Sequence, residues 1–189
     1  DVPGTITLLA GPKGSTFYQD ALRYREILAR HGVVVDLVTT ARQVMASLAP
    51  AALAKGQTLG LDAPGPCPVQ GDEALLAALV RNLVDNAIRY SPRGAQVRLA
   101  LRSDGGGVTL AVDDNGPGLT EAELARLGER FFRVLGTEAS GSGLGWSIVR
   151  RIAESHGAEL RVMRSAALGG LAVRVRFSAA PPGGPTGTA

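Results

Sequence analysis

The sequence predicts a mixed α/β chain of the α+β kind, and three observations carry that expectation. Residues 71–90, GDEALLAALVRNLVDNAIRY, repeat their apolar side chains at helical spacing. AQVRLALR and GVTLAVDD alternate apolar and polar residues across a glycine-rich loop, as a half-buried antiparallel ribbon does. AELRVMR and LAVRVRF form a second pair of strands joined by SAALGG, with helical patterns set between the pairs.

The central helix carries two stripes. Leu76, Leu79, Val80, Leu83, Val84 and Ala87 fall on one side, and Asn82, Asn86 and Arg89 on another. Asp72 is the expected N-cap. Asparagine is a mediocre helix former, so two of them one turn apart beside an apolar face need a reason. One is solvated surface. The other is ligation, because an amide oxygen is a good neutral ligand for a hard cation such as Mg2+.

The totals exclude several classes. The 189 residues are 45% hydrophobic and 20% charged, with a formal net charge of +3. The basic residues are nearly all arginine, with lysine only at Lys13 and Lys55, and they do not cluster as a nucleic-acid patch would. The single cysteine, Cys67, excludes an intramolecular disulfide, and two histidines, His31 and His156, exclude a multi-histidine metal centre. No apolar run reaches membrane-spanning length and no signal peptide is present, so a soluble chain is expected.

In chain order, residues 5–10 read as a strand, GPKGS as a loop, 15–32 as a helix and 33–38 as a second strand. GPKGS is either an anion seat or a tight turn. Residues 4–40 loosely resemble the opening of a periplasmic solute-binding protein of a secondary transporter. Residues 1–38 are therefore set apart as a β-α-β segment, native to the domain or joined by fusion. Residues 39–56 read as one helix, or two broken near Pro50. QTLGLD is a strand and APGPCPVQG a linker-like loop.

The turn DDNGPGL ends the first ribbon. Asp114 is placed to accept from an exocyclic amine, and Gly116 and Gly118 let backbone approach a flat ligand, although Asp-Asn-Gly is also ordinary turn chemistry. A short helix opens at Thr120 with Glu123 completing a capping box. Phe131 and Phe132 are adjacent and suit a mobile flap. Gly141, Gly143 and Gly145 lead into a helix carrying Ile148, Val149, Ile152 and Ala153, where free N–H groups and the helix dipole would cradle phosphate. His156 reads as a C-terminal residue favoured by that dipole. The Pro/Gly/Ala-rich residues 179–189 read as a disordered tail.

NLVDNAIRY, DDNGPGL, ERFFRV and GSGLGWSIV, in that order, resemble the four boxes of the sensor histidine kinase catalytic and ATP-binding domain. The likeness spans residues 39–178 and extends to the gyrase, Hsp90 and MutL-type ATPases. It implies a two-layer sandwich, a mixed and mostly antiparallel sheet covered on one face by helices, with a flexible ATP lid. It implies Mg2+ at Asn86, with Asn82 beside it near the phosphates and Arg89 contacting phosphate. Tyr90 would flank the base and Asp114 would bind the adenine amine over Gly116 and Gly118. Arg130 and Arg133 would approach the terminal phosphates, and Gly141, Gly143, Leu144 and Gly145 would form the cradle. Trp146 departs from the small aliphatic residue usual there.

The resemblance also implies partners: ATP, the dimerisation and phosphoacceptor helices of a histidine kinase, and a response regulator downstream. No nucleic-acid partner is expected. The location would be cytoplasmic, within a parent at the bacterial inner membrane. Neither His31 nor His156 lies in an acceptor motif of the H-E-L-R-T-P type, so autophosphorylation of this chain alone is not expected. A nucleotide-binding regulatory module without turnover and a related superfamily ATPase are the alternatives.

Overall fold

The computed structural model describes residues 33–126 and 145–179. β1 (Val34–Asp36) is shorter than the strand expected over residues 33–38, and the helix begins two residues before Thr39. Asp36 is the reason. Its carboxylate accepts from the N–H of Val38 at 3.2 Å and of Cys67 at 3.1 Å, which caps α1 (Leu37–Ala54) and ends the strand. Val35, Leu37 and Val38 are buried in the main core, so these residues pack with those beyond position 38.

Helix α1 runs unbroken through Pro50. An interior proline costs about 3 kcal/mol of helix stability. Leu48 and Ala52, buried on either side of it, anchor the helix in the core while Pro50 itself faces solvent. β2 (Thr58–Asp62) follows. The stretch expected to be a linker contains β3 (Pro68–Gln70), antiparallel to β1 with Val35 opposite Val69. Three residues led by proline carry too little alternation to show as a strand.

α2 (Glu73–Tyr90) is the central helix, and Asp72 caps it by accepting from Leu75 N–H at 2.9 Å. All six residues of the expected apolar stripe are buried, with Ile88 added. Each large aliphatic side chain buried this way contributes about 1.5–3 kcal/mol. β4 (Gln96–Asp104) and β5 (Gly107–Asp114) form the first ribbon, and β6 (Glu159–Arg164) and β7 (Leu171–Ser178) the second. Between the ribbons lie α3 (Glu121–Arg126) and α4 (Gly145–Ser155). The capping box on α3 is formed: Glu123 accepts from Thr120 N–H at 2.8 Å and donates its own N–H to Thr120 Oγ1 at 3.3 Å.

The main sheet has the order β2-β4-β5-β7-β6, with β2 parallel to β4 and the other pairs antiparallel. Helices α1, α2 and α4 cover one face, with α2 between the other two. Inward-facing Val97, Leu99, Leu101, Leu110, Val112, Val173 and Val175 meet them. The opposite face explains much of the arginine excess. Arg98 and Arg102 pair with Asp62, Arg176 with Asp104, and Arg174 with the buried Asp113. No helix among the described residues is long and apolar enough to cross a membrane.

One expectation on α4 is corrected. Val149, Ile152 and Ala153 are buried, whereas Ile148 is exposed, because it lies outside the stripe that faces α2 and the sheet. His156 follows the last residue of α4, the helix end expected for it, and its ring is also a joint. Its Nε2 accepts from Asp72 N–H at 3.2 Å, and its Nδ1 lies 2.8 Å from Ile152 O. The ring therefore bridges the end of α4 to the N-terminus of α2. The ring also meets Phe177 edge-on, and Gly71 leaves room for it, since a Cβ there would overlap the imidazole.

Candidate functional site

The site is assembled along one edge of α2. Asn82 donates Nδ2–H to Ala78 O at 2.8 Å, one turn back, which orients its amide oxygen outward. Asn86 sits one turn on, and its Nδ2 is buried with no partner among the described residues. Both amides point at the first residue of α4. A Cβ added to Gly145 would lie 3.3 Å from Asn82 Oδ1 and 3.3 Å from Asn86 Oδ1. Glycine thus lets the mouth of a helix, with its first-turn N–H groups, come close to two amide oxygens.

The other end of the site lies where α2 stops. Tyr90 is the last helical residue, and Ser91 caps it in extended conformation. At a rise of 1.5 Å per residue, Ser91 lies about 13 Å along the axis from Asn82. There it meets the turn after β5. Asp114, 7% exposed, accepts from Gly116 N–H at 2.9 Å and from Leu171 N–H at 3.1 Å. Both bonds go to Oδ1. Burial pushes its carboxyl above the ordinary value, the two N–H donors work against that shift, and neighbouring Asp113 adds to it. Gly118 has φ +72°, a conformation glycine adopts without strain.

Arg89 forms an i,i+4 ion pair with Asp85, Nε to Oδ2 at 2.8 Å, and half its side chain is in solvent. Trp146 lies partly buried on the flank of α4. With Leu124, Arg150, Ala153 and Leu160 it lines a cleft of about 390 Å³. Arg130, Arg133, Gly141, Gly143 and Leu144 lie outside the described residues.

Several residues at the site went unread in the sequence. Gly170 packs directly on Asp114: a Cβ there would stand 2.5 Å from Asp114 O and 2.6 Å from Gly116 N. Lys55 Nζ donates to the carbonyls of Ile88, Arg89 and Ser91, at 2.7, 3.1 and 2.7 Å. Gln57 Nε2 donates to Ile88, Ser91 and Pro92 at 2.9–3.0 Å. Together they serve the carbonyls of Ile88 and Arg89 in the last turn of α2 and those of Ser91 and Pro92 just beyond it. Lys55 and Gln57 carry no local signal, since their partners lie more than 30 positions away. The Gly169–Gly170 pair was the one hint of close approach, and it reads equally as a turn.

Among the described residues, no three of His, Cys, Asp and Glu group to hold a metal. A cation here would take neutral amide oxygen from the protein and the rest of its oxygen shell from a ligand, which suits Mg2+ on a polyphosphate.

The pattern of the family described as histidine kinase-, DNA gyrase B-, and HSP90-like ATPase matches residues 71–181. Sensor protein QseC of Escherichia coli K12 is 56% identical over 87 residues, 46% of this chain and 18% of that protein. The swarming motility regulation sensor protein RssA of Serratia marcescens is 41% identical over 129 residues, 68% of this chain and 28% of that protein. The chain thus spans less than a third of the length of these relatives. Among solved structures, a mycobacterial sensor histidine kinase, MprB, superposes with a TM-score of 0.68 at 30% identity, covering 78% of this chain and 97% of that one.

Proposed function

The chain belongs to the histidine kinase-, DNA gyrase B- and HSP90-like ATPase family, and from that premise we propose the reaction it serves. It is an ATP-binding catalytic domain of the sensor histidine kinase type. The proposed reaction is transfer of the ATP γ-phosphate to a histidine on the dimerisation helices of a histidine kinase, with a response regulator receiving it downstream. The proposed setting is the cytoplasmic side of an inner-membrane sensor.

One observation carries this reading. Asn82 and Asn86 bring their amide oxygens to the glycine mouth of α4, and the amide nitrogen of Asn86 is buried without a partner among the described residues. An amide held so close to a helix N-terminus suits a phosphate chain and its cation. Asn86 would hold Mg2+, which supplies charge neutralisation on the phosphates. Asn82 orients the phosphate chain from the next turn. Arg89 can swing from Asp85 to phosphate, and Arg130 and Arg133 are assigned to the terminal phosphates. Gly141, Gly143 and Leu144 extend the cradle begun at Gly145. At the far end Asp114 accepts from the adenine amine, above Gly116 and Gly118, and Tyr90 flanks the ring. Catalysis is then mainly positioning and charge stabilisation.

The superfamily ATPases use a glutamate base where this chain has Asn82. An amide cannot take a proton from water, so ATP hydrolysis by the chain alone is expected to be slow. Rapid turnover would favour an ATPase instead. Calorimetry on Asn86→Ala is the direct test: Mg-dependent ATP affinity should be lost, and unchanged affinity would remove Asn86 from the metal role. Labelled ATP with a folded acceptor helix pair from a cognate kinase should yield phosphohistidine.

A further inference from the structure

Ser91 has a buried hydroxyl with no use inside the fold. The residue is 2% exposed, and its Oγ has no hydrogen-bond partner among the described residues. An unmade bond at a buried hydroxyl is costly, so such groups are few and call for an explanation. The backbone leaves this one little freedom to find a partner elsewhere. Ser91 N–H donates to Ala87 O at 3.2 Å, while Ser91 O accepts from Lys55 Nζ at 2.7 Å and Gln57 Nε2 at 3.0 Å. The residue is pinned on both sides, and only χ1 remains to be set.

The pinned hydroxyl is placed at the base end of the site. The position a Cβ would take on Gly116 is 3.2 Å from Ser91 Oγ and 3.0 Å from Asp114 Oδ1. Hydroxyl and carboxylate therefore flank the same glycine. Oδ1 of Asp114 is already taken by two N–H groups, which leaves Oδ2 for a ligand. A carboxylate oxygen only accepts, whereas a hydroxyl can donate. An adenine edge presents the complement: the amine donates and the neighbouring ring nitrogen accepts.

We propose that Ser91 is a base-recognition residue, its hydroxyl donating to the ring nitrogen beside the adenine amine, across one ordered water or directly, while Asp114 takes the amine. This rests on the ATP-site reading and deepens it. A water-mediated bond of this kind is nearly as favourable as a direct one. The cost of the partnerless hydroxyl in the free domain is recovered when nucleotide binds.

The test is calorimetry and thermal unfolding on the full chain with ATP and with ADP. Ser91→Ala should weaken both nucleotides equally, by about fivefold, because the lost bond is at the base and not at the phosphates. The free variant should melt at the same temperature as the parent or higher, since a buried unpaired hydroxyl has gone. Ser91→Thr should restore affinity. Unchanged affinity in Ser91→Ala overturns the proposal. So does a loss accompanied by a lower melting temperature that threonine does not repair, because that marks a packing role. A parent chain that binds neither nucleotide overturns the ATP-site reading itself, and this proposal with it.

Discussion

Leu171 N–H donates to Asp114 Oδ1 at 3.1 Å, across 57 positions of sequence. The bond joins the start of β7 to the end of β5, and it holds the carboxylate that the base would meet. The same oxygen accepts from Gly116, so the acid is oriented by backbone from two segments. Burial nonetheless raises its pKa, so ionising it costs the fold. Such a group contributes stability at pH below its unfolded value and loses it as pH rises through the folded one. Asp114→Asn keeps an oxygen for both N–H groups and removes the charge. The variant should therefore match or exceed the parent in melting temperature at pH 7, with the gap closing toward pH 3. It should also bind ATP at least tenfold more weakly, since a charged acceptor becomes a neutral one. Parallel melts over pH 3–7 and one titration with ATP check both.

Gly170 allows that arrangement. A methyl group there meets backbone atoms of Asp114 and Gly116, and backbone cannot rotate away. Gly170→Ala should cost about 2 kcal/mol or more in urea unfolding and should impair ATP binding with it. Gly169→Ala is the control. It has φ +88° and open space around it, so its cost should be only about 1 kcal/mol, with ATP affinity retained.

Lys55 places an ammonium over three carbonyls at the end of α2. Desolvation lowers its pKa, and Arg93 nearby lowers it further, yet charge-assisted bonds to orphan carbonyls make the ion useful there. Lys55→Met keeps the stem and removes the donors. It should destabilise the domain by about 1–3 kcal/mol and raise hydrogen exchange at the last turn of α2. Exchange unchanged at that turn would mean Gln57 alone is a sufficient cap.

Asp104 closes the β4–β5 hairpin, accepting from Gly106 N–H at 2.8 Å and pairing with Arg176. The guanidinium, with the Gly106 N–H next, holds its carboxyl down at about 2. A depressed acid contributes stability above its unfolded value, and that stability is lost as pH falls through the folded one. The loss should run from about pH 4 to about pH 2. Asp104→Asn should flatten that limb of the urea-midpoint profile and leave the profile above pH 5 parallel to the parent's.

Much of the fold was legible because it rests on local repetition. The apolar stripe of α2, the first ribbon, and the capping box at Thr120 and Glu123 are each visible within about twenty residues. Where the structure departs from the local pattern, a long-range partner mostly intervenes. Asp36 ends β1 early because Cys67 reaches it from 31 positions away. β3 exists because β1 offers it an edge. The His156 ring ties α4 to α2 because Asp72, 84 positions distant, donates its N–H to it. Ile148 looked apolar and inward, but the buried face of α4 is narrower than its run of apolar residues.

By itself, the sequence determined where most of the described helices and strands lie, most of their apolar faces, and which family the order of motifs resembles. These follow from side-chain spacing, and spacing is a local property. Only the tertiary structure decided that Asn82 and Asn86 meet Gly145, that Gly170 and Leu171 hold Asp114, and that Lys55 and Gln57 pin Ser91 beside Gly116. Those meetings depend on close backbone approach between segments far apart in the chain. Such approach is set by how whole elements pack, and no periodicity within a single element encodes it.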